Sequence, residues 1–247
     1  KNIIFFAANK KKKSIHYVSA LSAINDHEGD CIIENFPNDD LCKLRDGYSQ
    51  TKWVSEYLLK QARDEGLTVL VYRPPTIWGD SVTNNFQMTN DHQALLIKTY
   101  FSTRMVPDLN REIIVLPVDL VSNFIIKMAE SQKFGCESKV YNMVPYKRYK
   151  SVELQAILQD ILGDKVRLVE ATEWIDYIIK NGDGLPIYPL LSIYSNIEIR
   201  KLALDMIGIN ERSNRNFCES KNEINSENYD FMQESYFRSA LEKIKGE

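Results

Sequence analysis

An α/β fold built on a parallel sheet is what this chain predicts, and three observations predict it. Short β-prone runs alternate with stretches of helical periodicity, the order that successive βα units produce. Runs such as Thr68-Val69-Leu70-Val71-Tyr72 and Ile113-Ile114-Val115-Leu116 are continuously apolar, the pattern of buried strands. Chain-breaking residues bound the first of them, Gly66 before it and Pro74-Pro75 after it, because proline cannot continue a central strand.

Each element follows in order. Residues 1 to 9 read as the end of a helix, with Lys10 to Lys13 as its charged exit. Ile15-His16-Tyr17-Val18-Ser19 is a short strand of the buried type. Residues 23 to 46, carrying Asp, Asn, Glu, Gly and Pro, read as a surface loop. Tyr48 to Asp64 is a helix: Trp53, Val54, Tyr57 and Leu58 recur at helical spacing, and Gly66 stops it. The 68–72 strand comes next. A polar stretch at 80–91 precedes a helix from His92 to Thr103. A strand at 113–116 runs into Pro117-Val118-Asp119, which opens a helix to Glu130, and Asp119 suits the positive end of its dipole. Lys139 to Met143 is a further strand. Beyond residue 147 the pattern turns helical, near 151–162, 172–181 and 196–207, around one strand at 165–169. Residues 209 to 229 are rich in Asn and poor in apolar side chains and read as a flexible linker. An amphipathic helix over 230–245 ends the chain.

Composition narrows the classes of function. A chain of 247 residues with 44% hydrophobic content can bury the core of one large domain, or of a domain and a subdomain. A net charge of −3 gives no general attraction for nucleic acid or an anionic membrane. No apolar run reaches the length of a membrane span, and no signal peptide is expected. Cys31, Cys42, Cys136 and Cys218 are scattered with no C-x-x-C pair, so free thiols in the reducing cytoplasm are expected. Asp26-His27-Glu28-Gly29-Asp30-Cys31 gathers metal-ligand types but fits no zinc spacing, and it reads as a solvated acidic loop with no metal. The chain begins at Lys1 inside an apolar pattern, Ile3 to Ala8, as expected of a segment of something longer.

The chemistry concentrates in Tyr48-Ser49-Gln50-Thr51-Lys52. Residues four apart share one helix face. Free Tyr holds its proton to about pH 10. An ammonium beside the phenol favours phenolate, so the phenol can protonate a carbonyl oxygen at neutral pH while hydride reaches the carbon.

The flanks of that motif form an ordered series. Ser14-Ile15-His16-Tyr17-Val18-Ser19-Ala20-Leu21-Ser22 is followed by Tyr48-Ser49-Gln50-Thr51-Lys52-Trp53-Val54-Ser55-Glu56 and by Tyr72-Arg73-Pro74-Pro75-Thr76-Ile77-Trp78-Gly79. Leu116-Pro117-Val118-Asp119-Leu120-Val121 and Val140-Tyr141-Asn142-Met143 continue it. From residue 1 to about 195 the series resembles the extended short-chain dehydrogenase/reductases, specifically the thioester reductase domains that end polyketide and nonribosomal peptide synthases.

That resemblance implies a fold: the C-terminal half of a doubly wound, Rossmann-type parallel sheet over 1–147, with a substrate-side insertion at 80–112. A small, mostly helical substrate subdomain follows over 148–208, then the 209–229 linker and a terminal helix at 230–247. It implies a site as well. Tyr48 is the proton donor, and Lys52 assists it and holds the nicotinamide ribose. Pro75, Thr76 and Ile77 pass the nicotinamide. Phe86, Met88 and Phe101 lie where an acyl-binding wall is expected, while Trp174, with Ile175 and Ile178, reads as core or substrate-tunnel wall. His92 reads as a surface residue at a helix start. The implied cofactor is NADPH. The implied substrate is an acyl chain held as a phosphopantetheine thioester on an acyl or peptidyl carrier protein, within a larger multidomain synthase.

Two positions depart from the family pattern. Members place Ser-Thr at the end of the first strand, and the second hydroxyl bonds the reacting carbonyl; here that position is Ala20, with Ser19 before it and Ser22 two residues on as possible substitutes. A dinucleotide site also needs a Gly-rich turn between strand and helix. None of the ten glycines here forms G-x-x-G-x-x-G or G-x-G-x-x-G. A catalytically inactive remnant that keeps only a carrier-protein or acyl docking surface is the alternative these departures favour. A sugar-nucleotide epimerase or dehydratase shares the Tyr and Lys and is the weaker rival.

Overall fold

The computed structural model describes residues 1–24, 31–32, 34–37, 47–83, 85, 92–109, 112–131, 137–145, 147–195, 211–212, 215–223 and 234–246. They fall into two compact units that interleave along the chain: Lys1–Pro75, Leu120–Val144 and Asn210–Tyr229 form one, and Thr76–Asp119, Pro145–Ile209 and Asp230–Glu247 the other. The division differs from the expected break at 147, because residues 76–119 cluster with the later helices and not with the strands before them.

The first unit is built on parallel strands in the order Ile15–Val18, Val69–Arg73, Lys139–Asn142. The middle strand is buried along its whole length. Alternate side chains of a strand go to opposite faces, so it needs cover on both. Val69 and Val71 pack with Ala7, Leu59, Ala62 and Val140, drawing in the Asn2–Ala8 and Gly47–Asp64 helices. On the other face Tyr72 stacks on Tyr141 at 5.4 Å and meets Phe124 edge-on at 6.1 Å. Phe124 belongs to the Val118–Ser131 helix. Helices on both faces of a parallel sheet make this the doubly wound architecture.

Local chemistry sets the ends of these elements. Gly66, at φ 84°, donates to Arg63 O at 2.8 Å, and Leu67 N donates to Ala62 O at 3.1 Å. This paired termination needs the left-handed region that glycine enters freely. Lys13 Nζ donates to Phe6 O at 3.2 Å and Lys11 O at 2.9 Å. The lysine run thus satisfies carbonyls at the exit of the Asn2–Ala8 helix.

Two expectations for this unit are corrected. Residues 209–229 are not wholly linker: Arg215–Glu223 is a helix, with Phe217 and Ser220 buried and Asn216 Nδ2 donating to Val140 O at 2.9 Å. One inward Phe and a carboxylate at the helix start replace the apolar stripe whose absence suggested disorder. The 23–46 segment is not all loop either. Leu21–Ile24 is a 3-10 turn, and Cys31–Ile32 pairs parallel with Glu211–Arg212.

The second unit has a mostly apolar interior. Thr76–Trp78 pairs parallel with Val115–Pro117, Met105–Asp108 pairs parallel with Arg167–Glu170, and Glu112–Ile113 pairs antiparallel with Tyr149–Lys150. Around them pack His92–Thr103, Ser151–Leu162, Ala171–Lys180 and Glu234–Gly246. The last helix is integral to this core: the Phe237 ring stacks on Trp78 at 5.5 Å and on Tyr149 at 4.0 Å. Asp119, expected to serve the helix dipole, also accepts Ser81 N at 2.8 Å and Ser81 Oγ at 2.6 Å. The expected helix at 196–207 lies outside the described residues. Among the described residues no helix is long and apolar enough to cross a membrane.

Candidate active site

Tyr48 and Lys52 both project from the first turns of the Gly47–Asp64 helix. Tyr48 is 58% exposed. Lys52 Nζ donates to Val18 O at 3.1 Å and lies 5.7 Å from the Tyr48 ring centroid and 5.5 Å from that of Tyr17. These are cation–π distances. Val18 ends its strand, so the amine sits at the carboxyl edge of the parallel sheet, where open α/β sheets take their ligands. The arrangement offers an accessible phenol, a cation within reach of it, and a backbone carbonyl that orients the cation.

A buried polar network lies one helical turn further on. Glu56 and Arg73 have no solvent exposure. Arg73 Nε donates to Glu56 Oε1 at 3.0 Å and Nη2 to Oε2 at 2.6 Å, a two-point ion pair. Arg73 Nη1 also donates to Asn142 Oδ1 at 3.3 Å and Nη2 to Asn35 O at 2.9 Å. Glu34 accepts backbone N–H groups from Asn142 at 2.8 Å and Asn216 at 2.6 Å. Burial pushes its carboxyl up to about 7, against the opposing pull of those amides, of Phe217 N and of the Arg73 charge. Sequence reasoning quoted Glu56, Arg73 and Asn142 as motif residues and gave them no role. An Arg directly after a run of buried apolar residues was the available signal, since a buried guanidinium requires a partner.

The structure brings Tyr48 and Lys52 together and leaves Ser19 out. The Ser19 hydroxyl is buried and donates to Glu56 Oε1 at 2.5 Å. In this arrangement the hydroxyl expected to substitute at Ala20 bonds a protein carboxylate. Ser22 Oγ is buried and has no hydrogen-bond partner among the described residues. Pro75 and Thr76 are half-buried, and Ile77 is exposed on the Thr76–Trp78 strand. In the second unit Phe101 packs partly buried against the core. Phe86, Met88 and the 26–30 loop lie outside the described residues. His92 has an unforeseen partner, its Nε2 lying 2.8 Å from Tyr194 Oη. Trp174 is buried core, edge-on to Tyr100 at 5.4 Å.

A nicotinamide dinucleotide fits these residues in part. Lys52 at the strand edge and the open Tyr48 phenol suit the ribose and nicotinamide end. No G-x-G-x-x-G or G-x-x-G-x-x-G run, the kind of turn that cradles a pyrophosphate, occurs in the sequence.

Comparison with known proteins bears on the family and the fold. A family profile for NAD-binding domains, described as male sterility protein, matches residues 1–125. An aldehyde reductase of Aspergillus flavus is 28% identical over 209 residues, which covers 77% of this chain and 20% of that protein. L-2-aminoadipate reductase of Schizosaccharomyces pombe is 27% identical over 218 residues, covering 86% of this chain and 15% of that protein. Among solved structures, the terminal R domain of the myxalamid PKS-NRPS pathway superposes with a TM-score of 0.82 at 20% identity, over 97% of this chain and 60% of that one. A thiolation-reductase di-domain of an archaeal non-ribosomal peptide synthetase gives 0.71 at 15% identity, over 99% and 51%. The structural likenesses establish a Rossmann-like α/β fold, and the chain spans no more than a fifth of the length of those two curated relatives.

Proposed function

The chain belongs to the male sterility protein family of NAD-binding domains, and from that premise we propose that it is the substrate-side portion of a thioester reductase. The reaction is NADPH-dependent reduction of an acyl thioester, borne on the phosphopantetheine of a carrier protein, to an aldehyde or on to an alcohol. The observation that carries the reading is the Tyr48–Lys52 pair at the carboxyl edge of the sheet, with Lys52 held by Val18 O.

Nicotinamide, held by Lys52 and Tyr48, would supply the hydride that reduces the thioester carbonyl carbon. Tyr48 gives its proton to the carbonyl oxygen, and the adduct loses the pantetheine thiol to leave the aldehyde. Lys52 favours the phenolate that forms, through its charge, and holds the ribose beside it. Pro75, Thr76 and Ile77 are proposed as the nicotinamide wall. Ala20 offers no donor to the developing oxyanion, and one missing donor costs about a hundredfold or more in rate. Slow turnover is therefore part of the proposal, as is a cytoplasmic setting within a larger synthase. The two solved relatives, one a terminal domain and one joined to a thiolation domain, support placement within a larger synthase.

Incubating the chain with NADPH and a carrier-bound acyl thioester tests the reading, with aldehyde release as the expected result. A second reading, a docking domain without catalysis, is favoured by Ala20 and by the lack of a Gly-rich turn in this sequence. A folded chain that captures the loaded carrier protein, binds no NADPH and releases no aldehyde decides for it.

A further inference from the structure

We infer that the buried Glu56–Arg73 ion pair is a positioning device for Tyr48 and Lys52, one that fixes the register of their helix against the ends of all three parallel strands. The inference rests on the reductase reading for its kinetic consequence alone. Glu56 lies one turn beyond Lys52 and two beyond Tyr48, on the same helix face. Its carboxylate binds Arg73, the last residue of the central strand. It also accepts the hydroxyl of Ser19, the residue directly after Val18, whose carbonyl holds Lys52. Arg73 in turn reaches Asn142 at the end of the third strand. One carboxylate and one guanidinium thus tie the helix to all three strand ends.

Cohesion alone does not require charges here. Two ions taken out of water lose hydration that their mutual attraction barely returns, and apolar side chains of similar volume often hold a core as well. What an apolar pair lacks is direction, because the guanidinium fork bonds a carboxylate in one plane. A helix that slipped by one residue would advance about 1.5 Å and turn about 100°. The bonds that Glu56 makes to Arg73 and Ser19 would break, and Lys52 would leave the Val18 carbonyl.

Amide hydrogen exchange over residues 47–55, measured on the whole chain alongside thermal unfolding, tests this. In Glu56→Met/Arg73→Met the unfolding temperature is expected to stay near wild type, while exchange over 47–55 rises about tenfold relative to the 151–162 helix. In Ser19→Ala, which removes one hydrogen bond to Glu56, the expected rise is about threefold. Ser19→Ala carries the test alone if the double variant does not fold. Unchanged exchange over 47–55 in the folded variants overturns the inference. Where aldehyde formation is measurable, the variants lower kcat and leave KM unchanged. Faster exchange in a protein that forms no aldehyde at all upholds the positioning role and rejects the reductase reading instead.

Discussion

The two units of the molecule bury different chemistry. In the unit built from residues 76–119, 145–209 and 230–247, the described buried polar side chains are Thr99 and Ser151, and each bonds neighbouring backbone. The rest of that interior is rings and aliphatic chains, with Phe237 stacked on both Trp78 and Tyr149. The other unit buries Glu34, Glu56, Arg73 and Asn142, together with Ser19, Ser49 and Ser220. An apolar core accepts any side chains of suitable volume, whereas a buried ion network accepts one geometry. The unit that carries Tyr48 and Lys52 is the one that carries the network.

Substitutions that separate these two kinds of interior sharpen the contrast. Arg73→Met alone leaves the buried Glu56 carboxyl without its cationic partner, and urea unfolding is expected to show a loss of about 3–5 kcal/mol. A loss near 1 kcal/mol, the size of one ordinary hydrogen bond, would mean that the pair carries no special weight. Phe237→Ala is expected to cost about 3–4 kcal/mol by cavity formation, while Phe237→Leu costs about 1 kcal/mol because volume is the main demand there. Similar losses for the two Phe237 variants would contradict the volume rule in that unit.

Glu34 gives the pH signature of the first unit. Burial raises its carboxyl to about 7 from an ordinary 4.5, so between those values the folded chain keeps a proton that the unfolded chain releases. Its contribution to stability is complete below about pH 4.5 and is lost as pH rises through about 7. His16, pushed down by burial from 6.5, acts in the opposite sense, losing its contribution as pH falls through 6.5. The wild-type stability minus that of Glu34→Gln isolates the carboxyl and is expected to fall as pH rises from about 4.5 to about 7. A difference that stays flat across that range would refute the assignment. The smallest effect is at the surface: Asp164→Ala, which breaks the exposed Arg104 contact at 2.8 Å, is expected to change stability by less than about 0.5 kcal/mol.

Much of this was legible in the chain because it is local. The 68–72 strand, the helix from residue 48 and the Tyr48–Lys52 spacing each occupy a few consecutive residues, where period and motif carry the information. The features that escaped depend on distant partners. Thr76–Trp78 and Met105–Asp108 are too short to announce themselves and are strands because Val115–Pro117 and Arg167–Glu170 lie beside them. The Arg215–Glu223 helix looked like linker because its first-turn amides are held by Glu34, 182 residues away for Asn216. Ser19 looked free to meet a substrate until folding turned its hydroxyl toward Glu56. In each case sequence neighbours supplied the residue type and only the fold supplied its partner.

The most direct test of the central claim is aldehyde formation from a carrier-bound acyl thioester and NADPH by wild type and Tyr48→Phe, both verified as folded. If Tyr48 is the proton donor, removing its hydroxyl lowers turnover about 10²–10⁴-fold and leaves thioester binding in place. Equal turnover by the two proteins would contradict the account, since the phenol would then have no part in the chemistry.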